Sequence, residues 1–395
     1  MIQKHFNEIS KDDIDDLVIN AVPEGKTIEY KQSLDINTDK EKKEFLRDIS
    51  SFANAGGGDI LYGVEESRDD EGHQNGIPKV ANGLSGINAD QEILRLDNLA
   101  QTCLDPRIPG LQIKSIPGFP NGPILLIRIP KSWKAPHMIT FQSESHFYSR
   151  NNARKYALDV TEIRSAFGLS DAIPDKVRHF RDERLARIIA GETPVPFSQS
   201  PKTVLHLLPI QALDKTFGIN LSDVEQAHIF PFGTRGTDNH YNFDGFINYA
   251  HNLQQICSSY IQFFRNGAIE ALTTGLFLDP NSNGERSIPG YGFERNIIEK
   301  TSEFLRLESK WNTTPPYFLM ISLIDVKGFV VTARSDWPTD NYPIDRDVLI
   351  LPDLLIEDGV NIANVLKPVF DTLWQSSGWV KSMSYDEKGD WQLRR

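Results

Sequence analysis

The sequence has little cysteine: only Cys103 and Cys257 in 395 residues, far apart and without a partner at metal-ligand spacing. That argues against a disulfide framework or a thiolate zinc site, and both read as reduced core thiols. The nine histidines are scattered, with no pair at zinc-binding spacing. No apolar run approaches membrane-spanning length, so no membrane partner is expected. The opening stretch "MIQKHFNEISKDDIDD" has no apolar core and no cleavage pattern. It reads as no secretory signal, and a cytoplasmic setting is expected.

Excess positive charge is lacking too. The formal net charge is −12, which argues against a protein that coats nucleic acid. The charge is uneven, however. Residues 1–110 carry 12 basic and 22 acidic side chains. Residues 111–170 carry Lys114, Arg128, Lys131, Lys134, Arg150, Arg154, Lys155 and Arg164 against Glu144, Asp159 and Glu162. Either a local basic face or ordinary solvated charge would give this count.

What is present is an α+β pattern in two parts. A short helix is expected near 9–21, capped by Ser10 or Asp12, then a strand near 27–33. In "DKEKKEFLRDISSFAN" (39–54), Phe45, Ile49, Phe52 and Ala53 fall on one helical stripe. Asn54 to Gly58 end that helix, glycines tolerating the left-handed angles of a C-cap, and "DILYGV" reads as a strand near 59–64. The Gly-, Asn- and Asp-rich stretch 66–88 reads as a surface loop. A helix at 88–104, strands at 111–117 and 123–130, a strand running into a polar turn in "HFYSRNNARKYAL", and a helix in "DVTEIRSAFGL", with Thr161 a possible cap, complete the first domain, 1–170. A charged helix and Pro-rich linker follow at 171–202. A C-terminal α/β or α+β domain spans 203–395, with a hairpin signal at Asn266-Gly267, an amphipathic helix in "RNIIEKTSEFLRLESKW" and a pair of strands in "YFLMISLIDVKGFVVTA". Its Arg265, Glu270, Glu294 and Arg295 attach to no motif and receive no role.

The chemistry is concentrated in carboxylates. Glu24 and Glu29 are five apart, and Glu29 and Lys31 point to one face of a strand. If that strand lies near "DILYGVEE", Glu24, Glu29 and Glu66 converge at one sheet edge. Carboxylates gathered this way repel one another unless a cation intervenes, and hard oxygen donors suit Mg²⁺ or Mn²⁺. Glutamates at strand ends are also commonly just solvated.

The stretch "IEYK…KEFLRDISSFANAGGGDILYGVEE" resembles the AlbA-like domain of the Schlafen family. Glu29-Tyr30-Lys31, Ser51-Phe52-Ala53-Asn54, Gly57-Gly58 and Gly63-Val64-Glu65-Glu66 carry the likeness, with "FYSRNNARKYALDVTEIRSAF" similar to the family's closing strand and helix. The resemblance covers roughly 10–170 and implies a mixed sheet with packed helices.

It also implies a nuclease site, with Glu24, Glu29 and Glu66 as metal ligands and catalytic acids beside Lys31. The third acid of the family is usually Asp, where this chain has Glu66. Arg150, Asn151, Asn152, Arg154 and Lys155 fall at the family's polar, basic turn and are expected to contact nucleic acid. The implied cofactor is Mg or Mn. ATP is not expected, because the glycines follow a helix and precede a strand, without the Gly-Lys-Ser/Thr of a P-loop. The implied activity is a metal-dependent endoribonuclease acting on tRNA or other structured RNA, as an antiphage or toxin effector. A non-catalytic regulator that binds RNA or DNA, and a structural or sensing subunit with a defence-system partner protein, are the alternatives. The best-known nucleases of the family join two such lobes in one chain, so a single lobe points to a homodimer or larger assembly.

Overall fold

A computed structural model describes residues 1–395 except 3, 5, 70, 152–153, 215–216, 235, 252–255, 281, 283, 312, 314, 334–341, 358 and 393–395. The chain divides into two compact units, Met1–Ile173 and Pro174–Arg395. Both mix helices with sheet, an α+β architecture.

In the first unit, α1 (Lys11–Ile19) is capped by Ser10 and precedes β1 (Ile28–Lys31). Helix α2 (Asp39–Asn54) begins with a capping box. The Thr38 hydroxyl accepts from Glu41 N, and the Glu41 carboxylate accepts from Thr38 N. Strands β2 (Gly58–Tyr62), β3 (Val64–Arg68) and β4 (Gln74–Ala81) follow. Then come α3 (Ala89–Cys103), the short β5 (Leu104–Asp105), β6 (Gln112–Phe119) and β7 (Gly122–Ile129). The unit closes with β8 (Met138–Ile139), β9 (His146–Arg150), β10 (Lys155–Ala157) and α4 (Val160–Asp171). Asp159, not Thr161, caps α4, accepting from the N–H groups of Thr161 and Glu162.

The main sheet runs β1-β2-β7-β6, with β1 and β2 parallel and Glu29 opposite Ile60. Alternation explains the apolar run 124–127 of β7. Leu125, Ile127 and Ile129 join the core beneath α2, with Phe45, Ile49 and Phe52. Ile124 and Leu126 join a second core on the other face, with Phe6, Ile14 and Tyr30. Arg128 also points away from the α2 core. It pairs with the fully buried Asp59 at 2.8 Å and donates to the carbonyls of Ile2 and Lys4.

The glycine turn between α2 and β2 has a steric cause. Gly57 has φ +73°, and a Cβ there would stand 2.6 Å from Lys131 N and 2.7 Å from Ile129 O. Only glycine accepts both the left-handed angle and so close a backbone.

One expectation fails. Residues 66–88 are not all loop, because Gln74–Ala81 is a strand paired antiparallel to β3. Its pattern is masked by Gly76 and Pro78 and by register shifts around Glu66, which break the alternation that reveals a strand.

The second unit is built on an eight-stranded sheet. From one edge it runs Asp238–Tyr241, Gly245–His251, Cys257–Phe264, Ile269–Thr273, Lys202–Pro209, Tyr317–Ile324 and Val348–Ile350, with Leu354–Ile356 also on Tyr317–Ile324. The expected hairpin forms across Asn266-Gly267, with Gly267 at φ +85°. Phe329–Thr332 pairs with Arg286–Pro289 rather than with its predecessor.

The charged helix, Ile173–Ile189, begins at the boundary between units and is not a free linker. Leu185 and Ile188 are buried in a core with Val204 and Tyr260. Arg184 makes two 2.8 Å bonds to the fully buried Glu270, which also receives bonds from His206 and Tyr260. Glu294 is likewise buried, accepting from the Trp374 and Trp391 indoles and the Ser382 hydroxyl. Of the two free thiols, Cys257 is buried and Cys103 half-buried. Among the described residues no helix is long and apolar enough to cross a membrane.

Candidate functional site

The acidic residues are brought together by two backbone devices. Gly63, at φ +103°, turns the chain from β2 into β3 while its N–H donates to Lys31 O at 2.7 Å. The turn sends Glu66 along β3 beside β1. Gly76 on β4 then joins two of the acids. Its carbonyl accepts from Glu24 N at 2.6 Å, and its own N–H donates to Glu66 Oε2 at 3.1 Å. Glu24 Oε1 in turn accepts from Tyr30 N at 2.6 Å.

The three carboxyls differ in their electrostatics. Burial pushes Glu24 up to about 7, and Glu66 and Glu29 add to the rise. Burial raises Glu66 also, with Glu29 adding to it, against the opposing pull of Gly76 N–H and Lys31. Glu29 is 7 % exposed. Burial works against its charge, but Lys31 and Arg150 outweigh it and hold the carboxyl below its ordinary range. Lys31 Nζ lies 2.5 Å from Glu29 Oε1, and Arg150 Nη1 donates to Glu29 Oε2 at 2.8 Å.

Around Glu29 the charges alternate in a chain. Glu44 and Asp48 on α2 both bind the Lys155 ammonium. Asp48, 1 % exposed, also faces Lys31 Nζ at 3.8 Å. Lys31 meets Glu29, and Glu29 meets Arg150. Burial would lower the Lys31 ammonium, but Asp48 and Glu29 together hold it well above its usual value. A buried carboxylate such as Asp48 is tolerated because it is paired.

The expected nucleic-acid turn is therefore split. Arg150 is not at the surface: its side chain is 9 % exposed, and the guanidinium lies over the Phe52 ring at 3.6 Å. Lys155 is half-buried against α2. Asn151 and Arg154 are exposed. Asn151 Oδ1 accepts from Arg154 N at 2.9 Å, which shapes the turn. Asn152 lies outside the described residues. Of the wider basic segment, Lys114 and Arg128 also have internal partners, whereas Lys131, Lys134 and Arg164 are exposed.

Among the described residues no three His, Cys, Asp or Glu side chains form a ready-made metal group. Glu24 and Glu66 fit a hard cation as donors, because each is a desolvated acid with an acidic neighbour, and a cation would relieve both effects. Glu29 has a cationic partner on each oxygen, so it could join them only by giving one up.

Three contributors escaped the sequence reading. Asp48 could have been found, because it sits three residues after Phe45 and four before Phe52, on the buried stripe of α2. Glu44 has no such signal, and Gly76 lay in the presumed loop. Asn54 of the motif is a staple. Its amide donates to the carbonyls of His137 and Tyr148 and accepts from His137 N.

Residues 24–159 match the family described as Schlafen, AlbA_2. No curated protein matches the chain. Two solved structures are similar to part of it. One is the N-terminal domain of a RecG-related protein from Nitrosomonas europaea, with 24% identity, 29% of this chain and 71% of that one covered, and a TM-score of 0.23. The other is the DIP2311 protein from Corynebacterium diphtheriae, with 15% identity, 37% of this chain and 26% of that one covered, and a TM-score of 0.24.

Proposed function

We propose, because residues 24–159 match the family described as Schlafen, AlbA_2, that the chain binds nucleic acid and, more specifically, is a divalent-metal-dependent endoribonuclease acting on tRNA or similar structured RNA. The observation that carries this reading is the gathering of Glu24, Glu66 and the Glu29–Lys31 pair around Gly76 and the end of β1.

Each residue has a part it can perform. Glu24 and Glu66 would hold Mg²⁺ or Mn²⁺, with Glu29 as the third ligand. A bound divalent ion would supply an activated water and a counter-charge for the phosphate. Glu24, raised to about 7 without an ion by burial and its acidic neighbours, would be held in its charged form by a bound cation. The Lys31 ammonium, held between Glu29 and Asp48, offers positive charge to a phosphate oxygen. The exposed Arg154 offers a backbone contact that positions RNA without reading its sequence. A homodimer would supply the second lobe that the best-known nucleases of the family carry in one chain.

Glu29's two cationic partners, and Glu66 where the family usually has Asp, favour a second reading: a nucleic-acid-binding regulator with an idle acidic site. One experiment separates them. Purified protein is incubated with total tRNA and Mn²⁺ or EDTA, beside the Glu66→Gln variant. The nuclease reading expects cleavage with Mn²⁺ alone, lost in the variant. Wild-type RNA binding without cleavage would leave the regulator.

A further inference from the structure

Arg150 is at the junction of the acidic site and the exposed turn, and it is incompletely satisfied there. Nη1 donates to Glu29 Oε2 at 2.8 Å. Nε is buried without a hydrogen-bond partner among the described residues. The guanidinium is stacked on Phe52, whose ring is fully buried, and the next residue, Asn151, is already exposed. A buried guanidinium N–H left without an acceptor is costly. Arginine's fork of donors suits the paired oxygens of a phosphate better than the one bond it makes among the described residues.

We infer that Arg150 is an exchangeable partner of Glu29: bound RNA draws its guanidinium onto a backbone phosphate, and the released Glu29 oxygen becomes available to the divalent cation. The inference rests on the proposed function and adds to it an exchange of partners at Glu29 and an order of assembly. Glu29 cannot present both oxygens while Lys31 and Arg150 hold them. Phosphate supplies the acceptors that Arg150 lacks, and the cation takes Arg150's place on Glu29. The Arg150 charge is then met by a phosphate charge, and Glu29 keeps a cation on the oxygen that Arg150 leaves. Because linkage is reciprocal, RNA must then strengthen cation binding by the same factor as the cation strengthens RNA binding.

The test is calorimetric titration of Mn²⁺ into the full chain, alone and with a saturating phosphorothioate-substituted hairpin RNA that resists hydrolysis. Coupling of this kind is expected to tighten the wild-type Mn²⁺ Kd about tenfold when RNA is present. Arg150→Gln should bind Mn²⁺ alone about tenfold more tightly than wild type, with RNA then making no difference. Arg150→Lys, which keeps a cation on Glu29, should restore part of the coupling. Wild type binding Mn²⁺ and RNA independently would overturn the inference and leave the nuclease reading standing. Wild type binding neither would overturn both. The wild-type arm decides without any variant, so a misfolded Arg150→Gln protein would not shield the inference.

Discussion

Glu24 and Gly76 are joined at 2.6 Å, backbone N–H to carbonyl, and their side-chain positions are almost in contact. A Cβ on Gly76 would stand 3.3 Å from Glu24 Cβ, at a φ of +72°. Gly76→Ala is therefore expected to cost about 1–2 kcal/mol for the left-handed backbone alone and to displace Glu24 from Glu66. Urea unfolding should show the loss, and Mn²⁺ binding should weaken with it. An unchanged Mn²⁺ affinity would mean that Gly76 does not set the spacing of the acids.

Glu24 also predicts a pH dependence. Its carboxyl is raised from 4.5 to about 7 in the folded protein, so between those values the native state holds more protons than the unfolded chain. Stability should fall as pH rises through this window, and Glu66, shifted the same way, should steepen the fall. Glu24→Gln should flatten it. Urea midpoints at pH 5 and pH 7.5 for both proteins test the sign, and parallel midpoints would refute it.

Arg154 and Lys155 are neighbours in the sequence and should fail differently. Arg154 is exposed, so Arg154→Ala should lower the salt slope of RNA binding by about one and leave stability alone. Lys155 is bound to Glu44 and Asp48. Lys155→Ala should instead lower the thermal midpoint by leaving Asp48 short of a partner. Filter binding across a salt series, paired with thermal melts, separates the two. Equal behaviour of the variants would count against the split turn.

In the second unit, Glu270→Gln leaves Arg184 buried without its counter-ion and should cost about 3–5 kcal/mol. Glu270 is held down to about 2 from 4.5, burial being outweighed by Arg184 and His206. Its contribution is present above pH 4.5 and lost as pH falls from 4.5 towards 2. Urea unfolding followed by tryptophan fluorescence at pH 7 and pH 3 should show the wild-type advantage shrinking. An advantage that is the same at both values would refute the assignment.

Much of the first unit was legible because its signals were local. The stripe Phe45, Ile49, Phe52 gave α2 with its observed bounds, and the residues ahead of β2 gave its glycine turn. The acidic positions were legible as a motif, since Glu29 and Lys31 must share a strand face. What was not legible depended on pairing over long sequence distances. Glu29 to Arg150 spans 121 residues and Lys155 to Asp48 spans 107. Nothing in "SRNNARK" distinguishes an arginine that will be buried under a carboxylate from one that will face solvent. Strand β4 was hidden for the opposite reason, because Gly76 and Pro78 are turn-formers used inside a bulged ladder.

The alternating chain has a consequence for ion selection. Glu44, Lys155, Asp48, Lys31, Glu29 and Arg150 comprise three acids and three bases, so with all six ionised the chain is electrically neutral. Glu24 and Glu66 stand outside that balance, and once both are ionised the patch is left with two negative charges. One divalent ion restores neutrality, whereas a monovalent ion leaves a deficit and a trivalent ion an excess. If the patch binds a cation as proposed, its valence preference would be set by the balanced chain, which leaves Glu24 and Glu66 as the residual charge, as much as by the donors that would touch the ion.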